Sequence, residues 1–70
     1  MTEKEFDEIL VEKGFVFGSF DELDELLAQC PFVARTRYEQ FGPRYCKYFI
    51  LSISLRSWHV FVPNYSVNEQ

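Results

Sequence analysis

Pro31 divides the chain into halves with different hydrophobic periods, and that change constrains the fold more than any other feature. Before Pro31, apolar residues recur every three or four positions, the spacing of a helix face; after it they alternate, the spacing of a half-buried strand. The sequence therefore predicts an α+β fold ordered ααβββ, with two helices on one face of a three-stranded antiparallel meander.

The helix starts are written in side chains. Thr2 and Glu5 stand three apart, as do Ser19 and Glu22; this is the spacing at which a hydroxyl and a carboxylate satisfy the free amides of a first helical turn. Phe6, Ile9 and Leu10 share one face of a helix expected over residues 3–13, with Gly14 suited to the left-handed position that ends it. Phe20, Leu23, Leu26 and Leu27 form the stripe of a second helix expected over 20–30, which Pro31 stops. Residues 15–18 between them read as an apolar connector or brief strand.

Residues from Phe32 onward alternate up to a turn cluster at Phe41-Gly42-Pro43-Arg44. A long strand is expected from Tyr45 to Leu55 and a third from Trp58 to Val62, followed by a polar tail over 64–70. Centring the first hairpin on Gly42-Pro43 sets Thr36 against Phe49 and Ala34 against Leu51. Centring the second on Arg56-Ser57 sets Leu55 against Trp58, Ile53 against Val60 and Leu51 against Val62. Both registers then send Phe49, Leu51, Ile53 and Trp58 toward the helices. The opposite face receives Arg35, Arg37, Tyr48, Ile50, His59 and Phe61, and no remaining segment is long enough to cover it. These six are the candidate partner-binding residues, because uncovered surface mixing guanidinium, aromatic and aliphatic groups usually binds something.

Charge separates along the same boundary. Residues 1–30 hold nine acids and two bases, a net of -7; residues 31–70 hold two acids and five bases, a net of +3, and the two sum to the formal -4 of the whole chain. Glu8, Glu12, Asp21, Asp24 and Glu25 form a candidate acidic helical face, a flag for charged partners as well as an ordinary solvated surface.

Seventy residues leave room for one domain over residues 1–63. A core of this size supplies only about 3 to 5 kcal/mol, so eight Phe, four Tyr and one Trp, or a second chain, must compensate. The N-terminal residues lack the basic start and apolar run of a signal peptide, and no apolar run reaches the ~18 residues of a membrane span. A cytoplasmic location is therefore expected, with Cys30 and Cys46 as buried free thiols. In that setting Asn64-Tyr65-Ser66 carries no meaning as a glycosylation pattern.

Cys30, Cys46 and His59 lack the close pairs of a zinc site, so no metal is expected. The three glycines form no phosphate-cradling loop, and no cofactor is expected. The parity just described places Cys46 and His59 together on the outer face, but with no third orienting group; no catalytic residue is assigned. The leading expectation is a non-enzymatic regulator or inhibitor that occupies a partner protein, such as one that handles nucleic acid. Small acidic regulators, including those encoded by phages and other mobile elements, resemble this chain in size and charge. The alternative is single-stranded nucleic-acid binding, with Tyr48 and Phe61 stacking on bases and Arg35, Arg37, Arg44, Lys47 and Arg56 on phosphates. A third expectation is a homodimer joined through the outer face or a free strand edge.

Overall fold

The computed structural model describes residues 1–64, so the expected tail lies outside the described residues from position 65 onward. Two helices, α1 (Glu3–Lys13) and α2 (Phe20–Leu27), precede strands β1 (Val33–Phe41), β2 (Tyr45–Ser52) and β3 (Ser57–Pro63). The strands form an antiparallel sheet in the order β1-β2-β3. This is the ααβββ arrangement that the change of period predicts.

Local chemistry sets the helix ends. At α1 the box closes in both directions: the Glu5 amide donates to Thr2 Oγ1 at 3.2 Å, and the Thr2 amide donates to Glu5 Oε1 at 2.9 Å. At the other end Gly14 takes a left-handed φ of 69°. Its amide reaches the Val11 carbonyl while the Phe15 amide reaches Leu10 at 2.9 Å, the paired bonds of a Schellman stop. The box at α2 is half formed. Ser19 accepts from the Glu22 amide, but the Glu22 carboxylate turns to the Gly18 amide at 3.1 Å and to Lys13 Nζ at 2.7 Å. The Lys13 ammonium and the Gly18 amide hold that carboxyl below its ordinary pKa. Helix α2 also stops three residues earlier than expected, at Leu27. Its last turn tightens into bonds from Gln29 to Leu26 and from Cys30 to Leu27.

The core lies between the helices and one sheet face. Phe6, Leu10, Phe17 and Leu23 meet Ile50, Trp58, Val60 and Val62, with Cys30 beside them. Phe6 packs edge-on against Trp58, ring centroids 4.9 Å apart. The indole Nε1 of Trp58 donates to Asp7 at 3.0 Å, so the largest core ring is also satisfied as a donor. The connector between the helices makes a single-residue bridge and no strand: Phe17 donates to the Phe61 carbonyl and Phe61 to the Phe15 carbonyl, a parallel pairing of Val16 with the edge of β3.

Both hairpin registers differ from the expected ones. Phe41 faces Tyr45 and Arg37 faces Phe49, centring the first hairpin on Pro43. Ile50 faces Trp58 and Cys46 faces Val62, centring the second on Ser54. The pairing sums move from 85 to 86 and from 113 to 108, odd shifts in both cases. The faces of β1 from Arg35 onward and of β3 therefore stay as expected while β2 turns over; Val33, expected on the outer face, lies ahead of the register shift and packs against the core. Tyr48 and Ile50 belong to the helix-covered face, where Ile50 is fully buried and Tyr48 packs on Phe20. Phe49 and Leu51 take their places on the outer face, and Ile53 leaves the sheet for the loop.

That loop causes the larger shift. The Ser52 amide donates to the Arg56 carbonyl and closes a three-residue turn, Ile53-Ser54-Leu55. The buried Ser52 hydroxyl accepts from the Arg56 amide at 3.0 Å, and Ser54 Oγ donates to the Glu3 carboxylate at 2.7 Å. Leu55 carries the left-handed residue of this turn at a φ of 71°, a position that favours glycine. Its side chain is 79% exposed and gives up no packing if removed. Relief of the left-handed cost, about 1 to 2 kcal/mol, exceeds glycine's extra unfolded-state entropy of about 0.5 to 1 kcal/mol. Leu55→Gly is expected to raise the melting temperature by several degrees in a thermal scan; an unchanged or lower midpoint would refute the strain.

Candidate functional site

The candidate site is the sheet face turned away from the helices. Alternation along each strand brings Arg35, Arg37, Glu39 and Phe41 of β1 to it, then Tyr45, Lys47, Phe49 and Leu51 of β2, and His59 and Phe61 of β3. Four of the six residues singled out from the sequence, Arg35, Arg37, His59 and Phe61, lie here. Tyr48 and Ile50 do not, for the reason given above. Phe41, Tyr45 and Phe49 have no counterpart among the candidates read from the sequence, and Lys47 figures there only among the phosphate contacts of the nucleic-acid alternative.

Cations lie over rings along this face. The Arg37 guanidinium sits 5.5 Å from the Phe49 centroid, and the Phe49 ring packs on His59 at 5.3 Å. Lys47 Nζ sits 5.6 Å from Phe41, whose ring packs on Phe61 at 5.1 Å. Each such pair contributes about 0.5 to 1 kcal/mol when exposed, and each fixes the direction of a flexible cation. At the turn end of the sheet, Val16, Phe41, Tyr45 and Phe61 line an open apolar groove of about 280 Å³. Val16, Phe41 and Tyr45 remain substantially exposed there. The connector bridge brings Val16 into the groove, a contact that no strand periodicity announces.

The helices present the opposite charge. Glu8, Glu12, Asp21, Asp24 and Glu25 are all exposed, as expected. Glu5, Glu8 and Glu12 border a second depression with Met1, Ile9 and Gln29, whereas Asp21, Asp24 and Glu25 lie on α2. The five carboxylates thus belong to two helices and do not line one depression.

Cys46 and His59 fall on opposite faces, Cys46 buried opposite Val62 and His59 exposed, so the parity that paired them is corrected. Cys30 and Cys46 are both buried free thiols. The Cys30 thiol donates to the Leu26 carbonyl at 3.2 Å, and burial pushes its pKa up, which keeps it protonated and poorly nucleophilic. Among the described residues, no three His, Cys, Asp or Glu side chains gather into a metal-holding group. No described helix is long and apolar enough to cross a membrane. The chain matches no family model, no curated protein and no solved structure.

Proposed function

We propose that this chain is a non-enzymatic interaction protein that binds a partner protein through its outer sheet face and regulates or inhibits that partner by occupying it. The groove formed by Val16, Phe41, Tyr45 and Phe61 carries the reading. An open, wholly apolar depression rimmed by a cation is the form in which a surface receives an anchoring side chain. Among the described residues, Arg35, Arg37 and Lys47 outnumber the one acid of the face, Glu39, so the fitting ligand is a protein segment with an apolar anchor flanked by carboxylates.

Co-purification at about physiological salt followed by mass spectrometry tests this with two variants. Phe61→Asp places a charge in the groove and is expected to weaken capture at least about tenfold, the loss of one anchoring contact. Glu25→Lys, on the helical face, is expected to leave capture unchanged. Capture that survives Phe61→Asp or is lost with Glu25→Lys overturns the reading, as does the absence of any captured protein. Single-stranded nucleic acid is the competing ligand for the same face. It has lost Tyr48 as a stacking platform, and the -7 of the helical half opposes phosphate binding. An anisotropy titration with a labelled oligonucleotide at about 50 mM salt, where such binding is strongest, is expected to show no binding; saturation there favours nucleic acid over a protein.

A further inference from the structure

We propose that β1 is a dimerisation edge, pairing antiparallel with β1 of a second copy in the register centred on Tyr38. Among the described residues, nothing pairs with the far side of β1 beyond its first residue; the sheet order leaves it at an edge, and residues 34–41 are all exposed. Natural edges of this length are usually blunted by proline, by charged side chains (lysine above all), by a bulge or by a covering element; the charges of β1, Arg35, Arg37 and Glu39, are of both signs and so can pair across a two-fold instead of repelling a second copy. Val33–Phe41 contains no proline and no lysine, and its one irregularity lies between Val33 and Arg35, at the start of the strand.

Backbone polarity fixes which residues the open edge offers. Ser52 donates to Arg56 and Asn64 to Arg44, so even-numbered residues of β2 bond toward β3. Odd-numbered residues of β2 therefore bond toward β1, and the Ile53 amide, one residue past the end of β2, keeps that direction in its bond to the Phe32 carbonyl. Their partners in β1 are Arg35, Arg37, Glu39 and Phe41. The amides and carbonyls of Thr36, Tyr38 and Gln40 then point outward. An antiparallel partner must pair even residues with even ones, and a two-fold axis through Tyr38 satisfies this condition.

The side chains match in that register. Arg37 of each copy faces the partner's Glu39, giving two opposite-charge pairs, and among the described residues neither side chain makes an ion pair within its own chain. Arg35 faces the partner's Phe41, a cation beside a ring, the chemistry this protein already uses at Arg37 with Phe49 and at Lys47 with Phe41. Thr36 faces Gln40. Tyr38, 61% exposed, stacks on Tyr48 at 5.8 Å and 13° and meets the Phe20 ring at 5.7 Å. The partner's Tyr38 continues that row across the axis. Moving the axis to Arg37 would set two guanidiniums face to face, to Thr36 would set Arg35 against the partner's Arg37, and to Glu39 would oppose two carboxylates, so like-charge repulsion favours the Tyr38 register. The dimer is a six-stranded sheet, and both outer faces lie on one side of it.

Sedimentation equilibrium on the intact chain tests the proposal. A mass of twice 8.4 kDa is expected at high micromolar concentration. Glu39→Arg and Arg37→Glu each create like-charge pairs and are expected to weaken the dimer about tenfold, while the double variant Arg37→Glu with Glu39→Arg restores it. Hydrogen exchange on the unaltered chain gives a second readout: the amides of Thr36, Tyr38 and Gln40 are expected to lose protection on dilution, while those of Arg37 and Glu39 keep theirs. A monomer mass up to about 1 mM, the weakest affinity worth assigning, overturns the proposal. So do failure of the double variant to recover and unprotected even-numbered amides in the concentrated sample.

Discussion

Ile50→Ala is expected to unfold much of the protein, and Phe49→Ala, one residue away, to cost little. Ile50 is fully buried between the helices and Trp58. Truncating such a residue costs about 2 to 5 kcal/mol, comparable to the ~3 to 5 kcal/mol that a core of this size supplies. Phe49 is half-buried on the outer face and touches Arg37 and His59. Its loss removes an exposed cation–ring contact of about 0.5 to 1 kcal/mol together with a little apolar cover. Urea denaturation followed by the fluorescence of Trp58 distinguishes the two, with midpoints compared at a common slope. Equal destabilisation would mean that β2 does not present the faces described here, and the outer-face site would go with it.

Trp58→Ala is the second large effect, about 3 to 5 kcal/mol for removing the largest core ring. Asp7→Ala is expected to cost less, about 1 to 3 kcal/mol, because it leaves the buried indole N–H without its acceptor. Arg56 shares that carboxylate at 3.5 Å and lies 5.3 Å from the indole centroid, so the three side chains form one coupled unit. In a Trp58→Phe background the ring packing persists but the donor is gone, and Asp7→Ala should then be milder by about 1 kcal/mol. Far-UV circular dichroism provides the signal, since Trp58 is the only tryptophan. Strictly additive costs would show that the hydrogen bond contributes nothing to stability.

These two experiments bear on the region where sequence and structure part. Helix starts, the stop at Gly14, the order of elements and the outward faces of β1 and β3 follow from local signals: cap spacing, a left-handed glycine and polar alternation. The expected parity of β2 failed because Tyr48 through Leu51 are apolar on both faces, so neither orientation stands out by hydrophobicity. Lys47 is the signal that resolves it. The expected register placed its ammonium on the covered face, whereas an outward Lys47 opposite Glu39 requires the orientation observed. The turn that fixes this register contains no glycine, proline, asparagine or aspartate, and its left-handed residue is a leucine, so turn chemistry does not announce it.

The acidic helical layer, the basic outer strand of Arg35 and Arg37 and the meander itself are properties of the sequence alone, because they rest on periods and caps within a few residues. The face of β2, and with it the groove of Phe41, Tyr45 and Phe61, was decided by contacts distant in sequence. Glu3 holds the Ser54 turn and Asp7 holds Trp58, while Val16 reaches the groove through Phe61. A strand apolar on both sides takes its orientation from whatever packs against it, and only the folded chain brings those partners together.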